Sequence, residues 1–334
     1  MASPDEVTQA ITVGLIVLVF VGVLLAANAG ETHSSWRIVA YAGMVGICAV
    51  VAILAMLTVA VGAVGTAGGP TRRLVVGNFL QFVGAVLAPT MMLPWARAWV
   101  ARLLKEFRPE SAINAVAASL YVLIVSFFLS QQVSVDQLQA IKSSGTSPSL
   151  LFIIATNQLP FFIVSFAGVG IFVRRDPRAA LQRLGLYWPG WKWIAISVGV
   201  AVLLVLFGIA FDQVMTKVTP DQSKAINDVS TQLLKDVSTP IAAIVLALAA
   251  GIGEEIIFRG AVQPRFGIVA ASVLFAVMHT QYAVSLATLE IFILGIFLGV
   301  LRNRAGVIAS IIAHAGYDLI LLMIPYAYYF SQHH

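Results

Sequence analysis

Apolar runs of the kind that cross a bilayer occupy residues 9–29, 36–64, 112–130, 149–172, 188–211, 239–258, 265–280, 284–301 and 307–330. A spanning helix needs roughly 20 mostly apolar residues. Lipid offers the backbone no hydrogen bonds, so such runs must become helices or a closed barrel. No barrel-type alternation is visible. A further run, 74–101, is broken by Pro89 and Pro94. It either spans with a kink or turns back as a re-entrant hairpin. The pattern therefore predicts an all-α fold, a polytopic transmembrane bundle of nine or ten helices. Composition excludes the soluble alternative: 60% of residues are hydrophobic and 10% charged, against about 25% charged in a soluble domain. Cys48 is the one cysteine, which excludes a disulfide scaffold.

The net charge of +5 does not indicate nucleic acid, because Lys and Arg cluster between apolar runs as membrane loops require. Arg97, Arg102, Lys105 and Arg108 are expected in the cytoplasm, as are Arg174, Arg175, Arg178, Arg183 and Lys192. Arg259/Arg265 and Arg302/Arg304 fall on the same side if each intervening run spans once. Segments 131–148 and 212–238 then face outward, the second helical around Ala225–Lys235. Ala27-Asn28-Ala29 has the form of a signal-peptide cleavage site, but no basic residue precedes it. Trp188, Trp191, Trp193, Tyr326, Tyr328 and Tyr329 read as interfacial belts. Gly295 and Gly299 form a GxxxG packing signal. Gly65 to Pro70 reads as a loop.

An ionisable side chain inside a spanning helix costs roughly 2.5–3.5 kcal/mol on insertion scales. Glu254, Glu255, Glu290 and Asp318 lie in apolar runs, alongside His279 and His314, all within the last hundred residues. The earlier runs hold no acidic residue and no histidine, only amides such as Asn78, Gln81, Asn157 and Gln158. On a helix Glu255 and Arg259 share a face and can pair. Glu254 points about 100° away and stays available as a general base. The bland reading is a structural Glu–Arg pair. His314 and Asp318 also lie one turn apart. Glu254, His279 and His314 could jointly activate a water. Alternatively, His279, His314 and Asp318 could hold a divalent metal such as zinc. His279 lies near the outer end of its run and Glu254 near an inner end, so the two depths conflict. Glu290 is either structural or lines a polar cavity. The zincin motif HExxH, the GxSxG elbow, the Walker motif and GxGxxG are all absent.

Glu-Glu-x-x-x-Arg at 254–259, Phe-x-x-x-His at 275–279 and His-x-x-x-Asp at 314–318 occur in that order in apolar helices. Together with the EEIIFRG and ILGIFLGVLRNRAG stretches they resemble the CPBP family. Its members are type II CAAX prenyl endopeptidases and Abi bacteriocin-processing proteins, which are intramembrane proteases. The resemblance covers about 236–325. It implies that Glu254 activates a water with help from His279, and that Glu255 and Arg259 orient the site. It implies that His314 stabilises the oxyanion or binds a metal. The family usually has Asn, an oxyanion donor, where this chain has Asp318. An ionised Asp accepts hydrogen bonds and cannot donate one. Asp318 would have to be protonated, bind a metal or orient His314.

The expectation is thus a glutamate-dependent intramembrane endopeptidase with a catalytic core at 239–330. Residues 1–211 are expected to be a scaffold, gate or partner-docking unit, and 212–238 an outward polar segment covering the site. Its partners are the lipid bilayer, a protein or peptide substrate, and a membrane protein docking on the N-terminal helices. Its place is the inner membrane of a prokaryotic cell, with the catalytic helices open to the cytoplasm. The alternative is a non-catalytic scaffold or bacteriocin-immunity protein with the same fold. A transporter ranks last, because its titratable residues would be spread through both halves.

Overall fold

A computed structural model describes residues 4–64, 72–131, 149–233, 239–279, 282 and 285–333 of the 334. Among these residues the chain is helical and has no strand. The helices are α1 (Pro4–Ala29), α2 (Ser34–Val64), α3 (Arg72–Leu87), α4 (Pro94–Leu103), α5 (Ala112–Gln131), α6 (Leu150–Val169), α7 (Pro177–Leu184), α8 (Trp191–Val218), α9 (Pro220–Leu233), α10 (Pro240–Glu255), α11 (Gln263–Met278), α12 (Leu286–Ala305) and α13 (Val307–His333). Among the described residues eight helical stretches are long and apolar enough to cross a membrane, and Val307–Met323 is a shorter apolar one. The chain is an integral membrane protein with the all-α bundle expected.

The prolines act where the sequence places them. Pro89 and Pro94 end α3 in a 3-10 turn, Ala88–Met92, and start the amphipathic α4. Pro240 follows the N-cap Thr239, whose hydroxyl accepts from Ala242 N at 3.1 Å. Asn28, at the end of α1, is fully buried and donates its amide to the carbonyls of Ala167 (3.0 Å) and Gly168 (3.2 Å). It thereby adds a donor to the carbonyls of the last turn of α6, where Ala167 also accepts from Gly170 N at 2.9 Å. The segment 212–238 splits between the end of α8 and α9. Segment 132–148, residues 65–71 and 234–238 (with Lys235 and Asp236), and the side chains of Tyr326, Tyr328 and Tyr329 lie outside what is described. Exposed Trp188 and Trp191 stack edge-on at 5.1 Å.

Two apolar cores organise the bundle. One joins α1, α2, α3, α5 and α6 through residues such as Leu24, Met44, Val116 and Leu120. The other joins α8, α12 and α13 through Leu204, Leu294, Leu298, Ala309 and Ala313. The GxxxG glycines work as packing points. A Cβ on Gly295 would sit 2.9 Å from the Ser272 Cβ of α11, and one on Gly299 2.9 Å from Ile268 Cγ2.

The depth conflict between Glu254 and His279 has a geometric resolution. Twenty-five residues of straight helix would separate them by about 37 Å, yet Glu254 Oε2 lies 3.7 Å from His279 Nε2. The chain therefore reverses between them. It does so through a π-helical segment, Ile256–Val262, then Pro264 and Gly267. Gly267 has φ +78°, which only glycine adopts without strain. Runs 239–258 and 265–280 are two arms of one hairpin rather than helices placing their polar residues at opposite faces.

Candidate active site

The hairpin arms and α13 set the depth of the site. Glu254 lies 14 residues into α10, about 21 Å from its start, and His314 lies 7 residues into the opposed α13, about 10 Å. Together these span the roughly 30 Å of hydrocarbon. The cluster thus sits about 10 Å in from the face carrying Arg302 and Arg304. Gly251 allows the two helices to touch, because a Cβ there would lie 2.9 Å from the Ala315 Cβ.

Two linked groups of polar side chains result. In the first, Glu255 Oε1 receives the Arg259 guanidinium at 2.8 Å and His314 Nδ1 at 2.8 Å. Glu255 and Arg259 are 0% and 1% exposed. Arg259 also reaches the Gly295 carbonyl (3.4 Å) and lies 4.3 Å over the Phe275 ring. His314 Nε2 faces Asp318 Oδ2 at 3.5 Å. His314 thus bridges two carboxylates.

In the second group His279 Nδ1 is 2.7 Å from the Phe275 carbonyl. A carbonyl can only accept, so Nδ1 carries the proton, and in neutral His279 the Nε2 nitrogen is an acceptor. It faces the Glu254 carboxylate, another acceptor, across 3.7 Å. Glu254 Oε2 is buried and has no hydrogen-bond partner. Two acceptors at that separation suit one bridging water, which can donate to both. Phe275 ties the two groups together, packing its ring against His279 at 4.6 Å and His314 at 5.8 Å.

All six expected residues, Glu254, Glu255, Arg259, His279, His314 and Asp318, are therefore in one cluster. Glu290 is elsewhere, beside Gly208 and the Tyr317 hydroxyl. Gln158, in sequence only one amide among several in the earlier apolar runs, joins the cluster. This buried amide of α6 donates to Glu254 Oε1 at 3.4 Å, and its own Oε1 has no partner. It ends a π-helical segment, Ile154–Gln158, opposite the one that follows Glu255. Such segments recur at functional sites. The signal in the sequence was the amide pair Asn157-Gln158 inside an apolar run just before Pro160.

The donor set does not fit a metal centre. Both His314 nitrogens face carboxylates, and His279 Nδ1 is bonded to the backbone. Among the described residues no group of three or more His, Cys, Asp or Glu side chains is placed to hold a metal ion.

Residues 236–320, about a quarter of the chain, match the family Rce1-like, described as type II CAAX prenyl endopeptidase Rce1-like. No curated protein and no solved structure matches the chain. The matched segment contains all six clustered residues. Over residues 236–320, therefore, this integral membrane protein is similar to the family of Rce1-like type II CAAX prenyl endopeptidases.

Proposed function

We propose that the chain hydrolyses a peptide bond of a membrane-associated protein or peptide, with a water activated by Glu254 and His279. The observation that supports this most is the pair of facing acceptors, Glu254 Oε2 and His279 Nε2, 3.7 Å apart. A water between them gives a proton to Glu254 as its oxygen attacks the scissile carbonyl. Glu254 then passes that proton to the leaving amine, so the C–N bond breaks and the carboxylate is restored. Gln158 holds the Glu254 carboxylate in place from the N-terminal side.

The His314 imidazole, lodged between Glu255 and Asp318, supplies positive charge beside the developing oxyanion. In this reading Asp318 orients His314 and does not itself donate. Arg259 holds the Glu255 carboxylate in place, which in turn fixes His314. No step passes through a metal. In this reading the membrane is a prokaryotic inner membrane, the basic Arg302/Arg304 face is cytoplasmic, as the positive-inside rule favours, and substrate reaches the site from that side.

The test is peptidase activity of the purified wild type and Glu254→Gln in detergent. The substrates are membrane-derived peptides and prenylated and unprenylated reporters. Removing a general base is expected to lower kcat about 10²- to 10⁴-fold. Equal cleavage by both forms would refute this mechanism. Cleavage by neither would favour the scaffold or immunity role.

A further inference from the structure

A cavity lies away from the glutamates, between α1, α5 and α6 on one side and the hairpin on the other. Its volume is about 460 Å³, within the range of ligand sites, roughly 300–1,000 Å³. Its walls are apolar, with Phe20, Leu120, Val164, Phe258 and Leu274 among them. It runs from Arg265, before the break at Gly267, to Met278 at the end of α11, whose straight part from Ile268 rises about 15 Å. One leaflet of hydrocarbon is about 15 Å thick, so the cavity accepts an acyl chain lengthwise.

One end of this channel carries a cation. Arg265 is 8% exposed and donates only to backbone, to the Ala261 carbonyl at 2.8 Å and the Gly168 carbonyl at 3.0 Å. Among the described residues no carboxylate lies within 4.0 Å of it. A buried charge without a counter-charge is costly. The surroundings add more positive charge: Arg175 bonds the Val169 carbonyl, and Arg183 bonds the Gly260 carbonyl at 3.3 Å. Burial and its neighbours Arg175, Arg302 and Arg108 push the Arg183 guanidinium down to about 10. The nearby acid, Glu31, is already engaged by the Ser111 hydroxyl (2.7 Å), the Ile113 N–H (3.0 Å) and Arg174 (3.7 Å). The electrostatics call for an anion, and the walls call for a long apolar tail.

We propose that this cavity binds one acyl chain of an anionic phospholipid, with the headgroup phosphate on Arg265. Its second chain stays in the bilayer, past the lipid-exposed rims at Ile16 and Phe127. The headgroup phosphate gives the buried guanidinium the counter-charge that its backbone contacts do not supply.

The test uses the full chain in phosphatidylcholine vesicles doped with phosphatidylglycerol carrying a photoreactive acyl chain. Labelling is expected within 13–24, 113–128, 160–168 and 257–278, with phosphatidylglycerol preferred over phosphatidylcholine about tenfold or more. Arg265→Gln keeps a donor for the carbonyls and should abolish that preference. Val164→Trp fills the channel and should abolish labelling while leaving thermal unfolding unchanged. Equal retention of both lipids by the wild type would overturn the proposal. So would labelling outside these segments, or competitive displacement by a prenylated peptide, which would assign the cavity to substrate.

Discussion

Replacing Arg259 with Leu tests whether the Glu255–Arg259 pair belongs to the interior or merely decorates a helix. The pair is separated by 2.8 Å, and its members are 0% and 1% exposed. An exposed i,i+4 pair is worth about 0.3–0.5 kcal/mol. Breaking a buried pair by removing one partner costs about 3–5 kcal/mol, because the remaining charge stays out of water. At about 2 °C per kcal/mol for a large domain, Arg259→Leu should lower the unfolding temperature by about 6 °C or more. Glu255 would keep only His314 at 2.8 Å. The double variant Glu255→Gln/Arg259→Leu should be less destabilised than Arg259→Leu alone, since no buried charge is then left unpaired. Thermal unfolding of the four proteins in one detergent gives the cycle. An unchanged unfolding temperature in Arg259→Leu, or simple additivity in the double variant, would refute the argument.

Further outcomes follow from single contacts. Gln158→Leu removes the amide that meets Glu254 Oε1 at 3.4 Å. A hydrogen bond to a charged group is worth about 1.5–3 kcal/mol, so kcat should fall about 10- to 100-fold with KM little changed. Gly251→Val would drive a side chain into Ala315, whose backbone N already lies 3.0 Å from an added Cβ. It should cost about 1–3 kcal/mol on unfolding and reduce activity by parting Glu255 from His314. Chelator treatment of the wild type should leave peptidase activity unchanged. Loss of activity, restored by one divalent ion, would mean that the histidines and Asp318 rearrange into a metal centre.

The sequence revealed the charged part of the site because charge in an apolar helix is anomalous. Glu254, Glu255, His279 and His314 each stand out against a background where lipid penalises them. The Glu255–Arg259 pairing followed from helical period alone. Gln158 carries no charge, and nothing in a one-dimensional reading links it to a glutamate 96 positions away. The reversal between Glu254 and His279 was hidden for another reason: the residues stay apolar and helical across it. Only Pro264 and Gly267 mark it, and two such residues do not distinguish a hairpin from a kink. Asp318 was legible as a departure from the family pattern. Its place against His314 Nε2 required the fold.

The contact between Gln158 and Glu254 also bears on how far the C-terminal helices can be treated as a module. Residues 236–320 carry the recognisable family pattern, but the amide that steadies the glutamate comes from α6, and the wall behind Phe258 is built by Phe161, 5.8 Å away. Excised and grafted onto other membrane helices, that segment would keep its glutamates and histidines and lose the surface that aims them. Co-expressed halves of the chain, by contrast, should recover activity when they reassociate in the bilayer.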